Sequence, residues 1–441
     1  MIIILLFLFI VVNLLIKYFI KDKISKFIAN SFNTYWFLSL AISTFEPMGY
    51  YEVSGHAYAL LIIGVIAFII GLCIPKFNKK LTTIENSYKI MYVLEKLLLN
   101  YKINIILFLL SIYFLMHAKD VIIASAIEGK SMRVTGDSEL YVGNNLFKFI
   151  YTFIGYPLFN FLMTIIPYAL LNFKKKYLIP SILSSTFVFS FIIINAGRVM
   201  FVIILLYILI MYVINNKGVF NLSLKTSFIS IIFLIVVLLG ISSITNFRDY
   251  GTFKMDSNSL RDNINDTKER ILSYSVLPIV LFDRSIQEDY MSKFNGPLLG
   301  KATFAGPELY IGNIIKRVDP DYKTGNDIVI SYIQNNYFPI SPLLEANFAY
   351  TGIFFHYQDF GIIGVIFIPL LFGIFFRKIV LDYYKRPNIA LLALIGFNYF
   401  MMMYSIFCCY FIKPWITIYI PILLYFGYKY KYEYKPSNII S

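Results

Sequence analysis

The sequence predicts an all-helical, polytopic membrane protein. Of its 441 residues, 59% are hydrophobic and only 15% charged, and the apolar residues run in long unbroken stretches. Mean hydropathy is +0.70. Soluble domains carry roughly 25% charged residues, so this chain has too little charge to cover a water-facing surface. That excludes a cytosolic enzyme, a secreted domain and a disordered binder. A transmembrane barrel would alternate apolar and polar residues, whereas helices satisfy their own backbone groups within lipid.

Apolar stretches near the roughly 20 residues that cross a bilayer begin at Ile2, Thr34, Ala57, Ile103, Phe149, Tyr177, Val199, Phe228, Phe360, Ile389 and Trp415. This suggests about 11 spans, within a range of 10 to 12. The first, Ile2 to Ile16, has no basic residue before it and no small-residue cleavage site after it, which reads as a retained helix and not a signal peptide. The second runs into Glu46, and the last two share a short hairpin at Lys413 and Pro414. Cys73, Cys408 and Cys409 all sit in apolar runs, so neither a disulfide framework nor a cysteine metal site is implied.

The net charge of +14 matters by location. Every second connection is basic: Lys17, Lys21, Lys23 and Lys26, then Lys76, Lys79 and Lys80, then Lys174 to Lys176, then Lys217 and Lys225. Arg377, Lys378, Lys385 and Arg386 follow span nine, and Lys429, Lys431 and Lys435 follow span eleven. The positive-inside rule puts these connections in the cytoplasm and the N-terminus outside. The chain therefore divides into N-terminal helices at 1–246 (about eight), a large outer loop at 247–350, and C-terminal helices at 351–441 (about three). The loop carries 11 Lys plus Arg against 13 Asp plus Glu. Its apolar stretch Ile271 to Phe282, broken by Pro278, suggests a folded or membrane-hugging element.

Three groups of outer residues can carry chemistry. In Asn195-Ala196-Gly197-Arg198, the arginine either snorkels from lipid or offers a guanidinium fork to phosphate, with Gly197 permitting close approach. Arg248, in Arg248-Asp249-Tyr250-Gly251, is either a helix-end anchor paired with Asp249 or a second such cation. Arg284 directly follows the apolar loop stretch and is the loop cation best placed near the membrane surface. Arg133, Arg261, Arg270 and Arg317 read as solvated charges. The third group, Glu345 with His356 and Asp359, gathers before span nine and suits general-base work; an ordinary polar approach to a helix, with Asp359 at its positive end, is equally open. His56 and His117 do not combine with His356 into a metal site. Asp319-Pro320-Asp321 has a metal-nucleotide spacing that is weak outside the cytoplasm.

Asn347-Phe348-Ala349-Tyr350 running into Tyr357-Gln358-Asp359-Phe360-Gly361-Ile362-Ile363-Gly364, together with the turn at Asn195 to Arg198, resembles the oligosaccharide repeat-unit polymerases, the Wzy-type O-antigen and capsule polymerases of bacteria. The span count, the long outer loop in the C-terminal half and the outer arginines resemble that family's layout, although twelve spans is its common number. The resemblance implies a GT-C-like glycosyltransferase of the bacterial cytoplasmic membrane that works without metal or cofactor. It would move a growing glycan from undecaprenyl diphosphate onto a new lipid-linked repeat unit at the outer face. Arg198, Arg248 and Arg284 would then hold the diphosphate, Glu345, His356 or Asp359 would supply the base, and Tyr310, Tyr350 and Tyr357 would stack on sugars. Partners would be the lipid-linked oligosaccharide, the bilayer and a chain-length regulator, with no nucleic acid. An O-antigen ligase, a lipid-linked oligosaccharide flippase, a membrane acyltransferase and a structural membrane protein are the competing readings.

Overall fold

The computed structural model describes residues 1–76, 96–97, 99–128, 145–171, 175–195, 199–216, 240, 243–244, 247, 257–347 and 350–429; at 145, 170, 175, 199 and 257–271 the backbone alone is described. The chain is mostly helical. Six helices are long and apolar enough to cross a membrane: Ile2–Phe19, Gly55–Cys73, Tyr101–Glu128, Leu146–Ala169, Leu178–Asn195 and Gly352–Lys385. Three shorter apolar helices, Met200–Asn215, Ile389–Tyr404 and Ile416–Lys429, fall where further spans are predicted. The predicted span at Phe228 lies outside the described residues.

Two compact units emerge. The first comprises Met1–Lys79, Glu269–Leu381 and Asn398–Ile420; the second comprises Lys80–Lys268, Asp382–Phe397 and Pro421–Ser441.

In the first unit, α1 (Ile2–Phe19), α2 (Lys23–Ser43) and α3 (Gly55–Cys73) form the N-terminal helices. The apolar run predicted to begin at Thr34 belongs to a helix that starts eleven residues earlier. Asp22 caps it by accepting a 2.8 Å hydrogen bond from Ser25 N–H, and a helix begins at its cap and not at its first apolar residue. α3 crosses the long helix α13 (Gly352–Lys385) backbone to backbone. A methyl group at Gly71 would overlap the Leu370 carbonyl, and one at Gly373 would overlap that of Phe68. Such small-residue crossings let helices pack closely in lipid.

Arg377 is corrected by the structure. The sequence counts it among the basic residues of the cytoplasmic connection after span nine, yet its side chain is 1% exposed and forms an ion pair with the equally buried Asp22. The pair joins the α1–α2 turn to the second half of α13, so two basic clusters expected on one side of the membrane meet at one end of this unit.

The opposite end carries the loop from Glu269 onward: the later part of α9 (Ser257–Gln287), then α10 (Tyr290–Lys293), α11 (Ala305–Ile315), α12 (Ser331–Asn335) and the strand pair β1 (Phe338–Pro339) and β2 (Glu345–Ala346), antiparallel with Phe338 opposite Ala346. α9 runs straight through Pro278, against the expected break. Proline in a helix costs about 3 kcal/mol. Here Val276, Leu277, Ile279, Val280, Leu281 and Phe282 are all buried around it, and six such side chains contribute about 12 kcal/mol at about 2 each. The α2–α3 connection packs against this loop: Tyr51 N–H donates to Ile340 O (2.9 Å), and Tyr50 and Ser273 hydroxyls share a 2.8 Å hydrogen bond.

In the second unit, α4 (Tyr101–Glu128), α5 (Asn145–Ile150), α6 (Tyr156–Leu171), α7 (Leu178–Asn195) and α8 (Val199–Asn215) pack in a bundle, with α4 lying along α7 and α6 along α8. Phe114, Phe159, Phe187 and Phe191 fill its core. Its last pieces come from the end of α13, the first part of α14 (Ile389–Tyr404) and α15 (Ile416–Lys429). There Tyr428 O–H donates to Asp382 Oδ2 (2.6 Å), and the Arg386 guanidinium lies over the same ring, 4.4 Å from its centre.

Candidate functional site

The stretch that carries the resemblance is a sharp reversal in α13. Thr351 opens the helix, its hydroxyl accepting from Phe354 N–H at 3.2 Å. At Phe360 and Gly361 the backbone leaves helical geometry, Gly361 taking φ 59°, ψ −142°, a region open essentially to glycine alone. The chain then turns back so closely that a methyl group on Gly364 would overlap the His356 carbonyl.

This reversal grips the loop segment 298–304. Asp359, fully buried, accepts from Ala302 N–H at 2.9 Å through Oδ1 and from Thr303 N–H at 2.7 Å through Oδ2. Leu298 and Leu299 N–H donate to the Gln358 and Asp359 carbonyls at 3.1 and 3.2 Å. Thr303 Oγ1 and His356 Nδ1 share a 3.0 Å hydrogen bond. Both carboxyl oxygens of Asp359 are thus committed to backbone amides, an arrangement that fixes the loop. His356 is 5% exposed and lines a cavity of about 90 Å³ together with Phe32, Trp36, Phe68, Phe372 and Cys409. Glu345 stands apart from this pair in accessibility, exposed on β2.

Arg284 sits in the last turn of α9 with its guanidinium 4.0 Å from the centre of the Tyr51 ring. Its Nη1 donates to Gln287 Oε1 (3.1 Å), and Gln287 Nε2 donates to Asp283 Oδ2 (2.7 Å). Asp283 is 2% exposed and also accepts from the Ser54 hydroxyl, the α3 cap. Sequence reasoning passed over Asp283. Its neighbours in sequence suggest only the end of an apolar run, and its role depends on Ser54, more than 200 residues away. The connection between this corner and the reversal is aromatic: Phe282 meets Tyr357 edge-on, with ring centres 6.2 Å apart.

The three tyrosines proposed for sugar stacking are placed differently from one another. Tyr357 and Tyr310 are partly exposed. Tyr350 is fully buried in a cluster with Tyr290, Phe338 and Phe354, its ring centre 4.4 Å from that of Phe354. Burial pushes the pKa of the Tyr290 and Tyr350 hydroxyls well above the usual phenol range, so both stay neutral. The geometry gives Tyr350 a structural place in the loop core.

Arg198, Arg248 and Arg133 lie outside the described residues, as do the side chains of Arg261 and Arg270. Asn195, at the head of the Arg198 turn, donates through Nδ2 to the hydroxyls of Tyr156 (2.7 Å) and Tyr151 (3.0 Å), anchoring the end of α7. Arg317 is exposed, and Asp319 and Asp321 form an exposed turn in which Asp321 N–H donates to Asp319 Oδ1 at 3.2 Å. Among the described residues no three His, Cys, Asp or Glu side chains converge as a metal site would need. Comparison of the chain with protein-family models, curated proteins and solved structures gave no match.

Proposed function

We propose that this protein is a membrane glycosyltransferase of the repeat-unit polymerase kind, acting on glycans carried by undecaprenyl diphosphate at the outer face of a bacterial cytoplasmic membrane. The observation that supports it most is the reversal at Tyr357–Gly364. The segment whose sequence resembles the polymerases is the one that fastens the loop 298–304 to the end of α13 opposite Arg377.

In the proposed reaction, a sugar hydroxyl of a new lipid-linked repeat unit attacks the anomeric carbon of the growing glycan. The anomeric C–O bond to diphosphate breaks, and undecaprenyl diphosphate leaves with the electron pair. The hydroxyl proton passes to a base. Glu345 is the carboxylate of the candidate set that remains exposed, so it is assigned the base, with Asp359 and His356 as positioning residues that hold the loop. Arg198, Arg248 and Arg284 are assigned to the departing diphosphate, where fixed cations stabilise developing charge. Tyr310 and Tyr357 are the stacking surfaces for sugar.

The test is the surface-glycan length profile of a host strain lacking this gene, with wild-type, Arg198→Ala, Arg248→Ala and Glu345→Gln copies restored. The proposal expects a ladder that collapses to a single repeat unit in the deletion and in the variants, at normal protein levels. Loss of every repeat with accumulation of lipid-linked polymer would indicate a ligase, and single units trapped on the cytoplasmic side a flippase. An unchanged ladder would sink the glycan reading.

A further inference from the structure

The sequence places the long loop outside the cytoplasm and suggests a membrane-hugging element at Ile271 to Phe282; a different part of it presents bare apolar side chains. Ile311 and Ile314, three residues apart on one face of α11, are 60% and 65% exposed, and Val318, in the turn just after the helix, is 88% exposed. Leu299, ahead of that helix, is 75% exposed. A contiguous apolar face of this kind marks a partner surface.

Its position says which partner. Leu299 is tied to the reversal through its N–H bond to Asp359 O. The next residues of α13, Phe360, Ile363, Phe367 and Leu371, are also exposed and form the outward stripe of a helix long and apolar enough to cross a membrane. Phe304, at the head of α11, packs edge-on against Phe372 of that same helix and against Phe411, with ring centres 6.4 and 5.8 Å away. The apolar face of α11 is thus continuous with the lipid-facing stripe of α13. Polar residues occupy its other side: Glu308 accepts from Tyr322 O–H (2.9 Å) and Gly325 N–H (2.8 Å), and Lys316 pairs with Asp327 (2.6 Å). Arg317 is exposed beside Val318.

We infer that α11 and its flanks are membrane-inserted: Leu299, Ile311, Ile314 and Val318 seat in the bilayer leaflet at the Phe360 end of α13, with Arg317 at the level of the lipid phosphates. The segment is an in-plane amphipathic helix, apolar side in lipid and polar side in the loop. This inference stands whether or not the substrate is a glycan.

The test uses the full-length protein in lipid nanodiscs with tryptophan introduced as Ile314→Trp. The native Trp36 and Trp415 are buried and supply a constant background measured on wild-type protein. Phosphatidylcholine brominated on its acyl chains is the lipid-side quencher and iodide the aqueous one; Asn335→Trp, at an exposed position, is the water-facing control. Brominated lipid should quench Ile314→Trp several-fold more than iodide does, with the order reversed at Asn335→Trp. Iodide quenching Ile314→Trp as strongly as the control would overturn the inference. So would protection from both quenchers, which would mean that protein covers the face. Val318→Trp is the second reporter and carries the same expectations if Ile314→Trp is not recovered.

Discussion

Asp359→Asn separates a base from a positioning residue. In the structure each carboxyl oxygen of Asp359 accepts one backbone N–H, from Ala302 at 2.9 Å and Thr303 at 2.7 Å, in a fully buried setting. An asparagine keeps one oxygen and turns an NH2 group toward the other amide. The lost bond to a charged acceptor is worth about 2 kcal/mol, and the buried N–H left without a partner costs about 1 kcal/mol more, or about 3 kcal/mol in all. The loop 298–304 would loosen, although the backbone bonds at Leu298 and Leu299, the Thr303–His356 contact and the Cys409 Sγ bond to the Thr303 carbonyl remain. Thermal unfolding of the purified protein in detergent should show a drop of several degrees, and hydrogen exchange should speed up at Ala302 and Thr303. A variant that melts with the wild type, and whose amides exchange at the wild-type rate while glycan length collapses, would refute the reasoning and return Asp359 to the role of base.

Arg377→Met leaves the buried Asp22 without its counter-ion and is expected to cost about 3–5 kcal/mol, whereas the double variant Asp22→Asn with Arg377→Met should regain most of it in the same melting assay. Gly361→Ala forces a side chain into φ 59°, ψ −142° and should cost about 2 kcal/mol in detergent unfolding. Asp327 loses some ionisation to burial, but its hydrogen bonds from Lys316 and Thr324 prevail and lower its folded pKa below the ordinary 3.8. Its stabilisation is therefore complete above that value and lost as pH falls through the lower folded value, so the melting gap between wild type and Asp327→Asn should be present at neutral pH and close in strong acid. Because both partners of that pair are over a third exposed at the side chain or nearly so, 38% and 34%, the gap should stay below about 1 kcal/mol.

The membrane class was legible because it depends on composition and run length, which a linear reading captures. α1 and α3 begin within two residues of their predicted starts. Errors arose where the third dimension decides. Pro278 reads as a break, and only burial on every side of α9 explains why the helix continues. Arg377 reads as part of a basic connection after span nine because its partner is Asp22, 355 positions away. The reversal at Phe360–Gly361 could be suspected from its glycines, but the residues it grips, Ala302 and Thr303, carry no side-chain signal: it is their backbone amides that Asp359 holds. Asp283 was missed because nothing local announces Ser54, 229 positions away, as its partner.

The most direct measurement of the central claim is reconstitution. The purified full-length protein in proteoliposomes would be supplied with undecaprenyl-diphosphate-linked repeat units extracted from the deletion strain, and products followed by mass. The account predicts a ladder of lipid-linked glycans growing by whole repeats, with one undecaprenyl diphosphate released per repeat added, and no ladder from Glu345→Gln. Repeat units recovered intact, with no diphosphate lipid released by correctly folded protein, would contradict it.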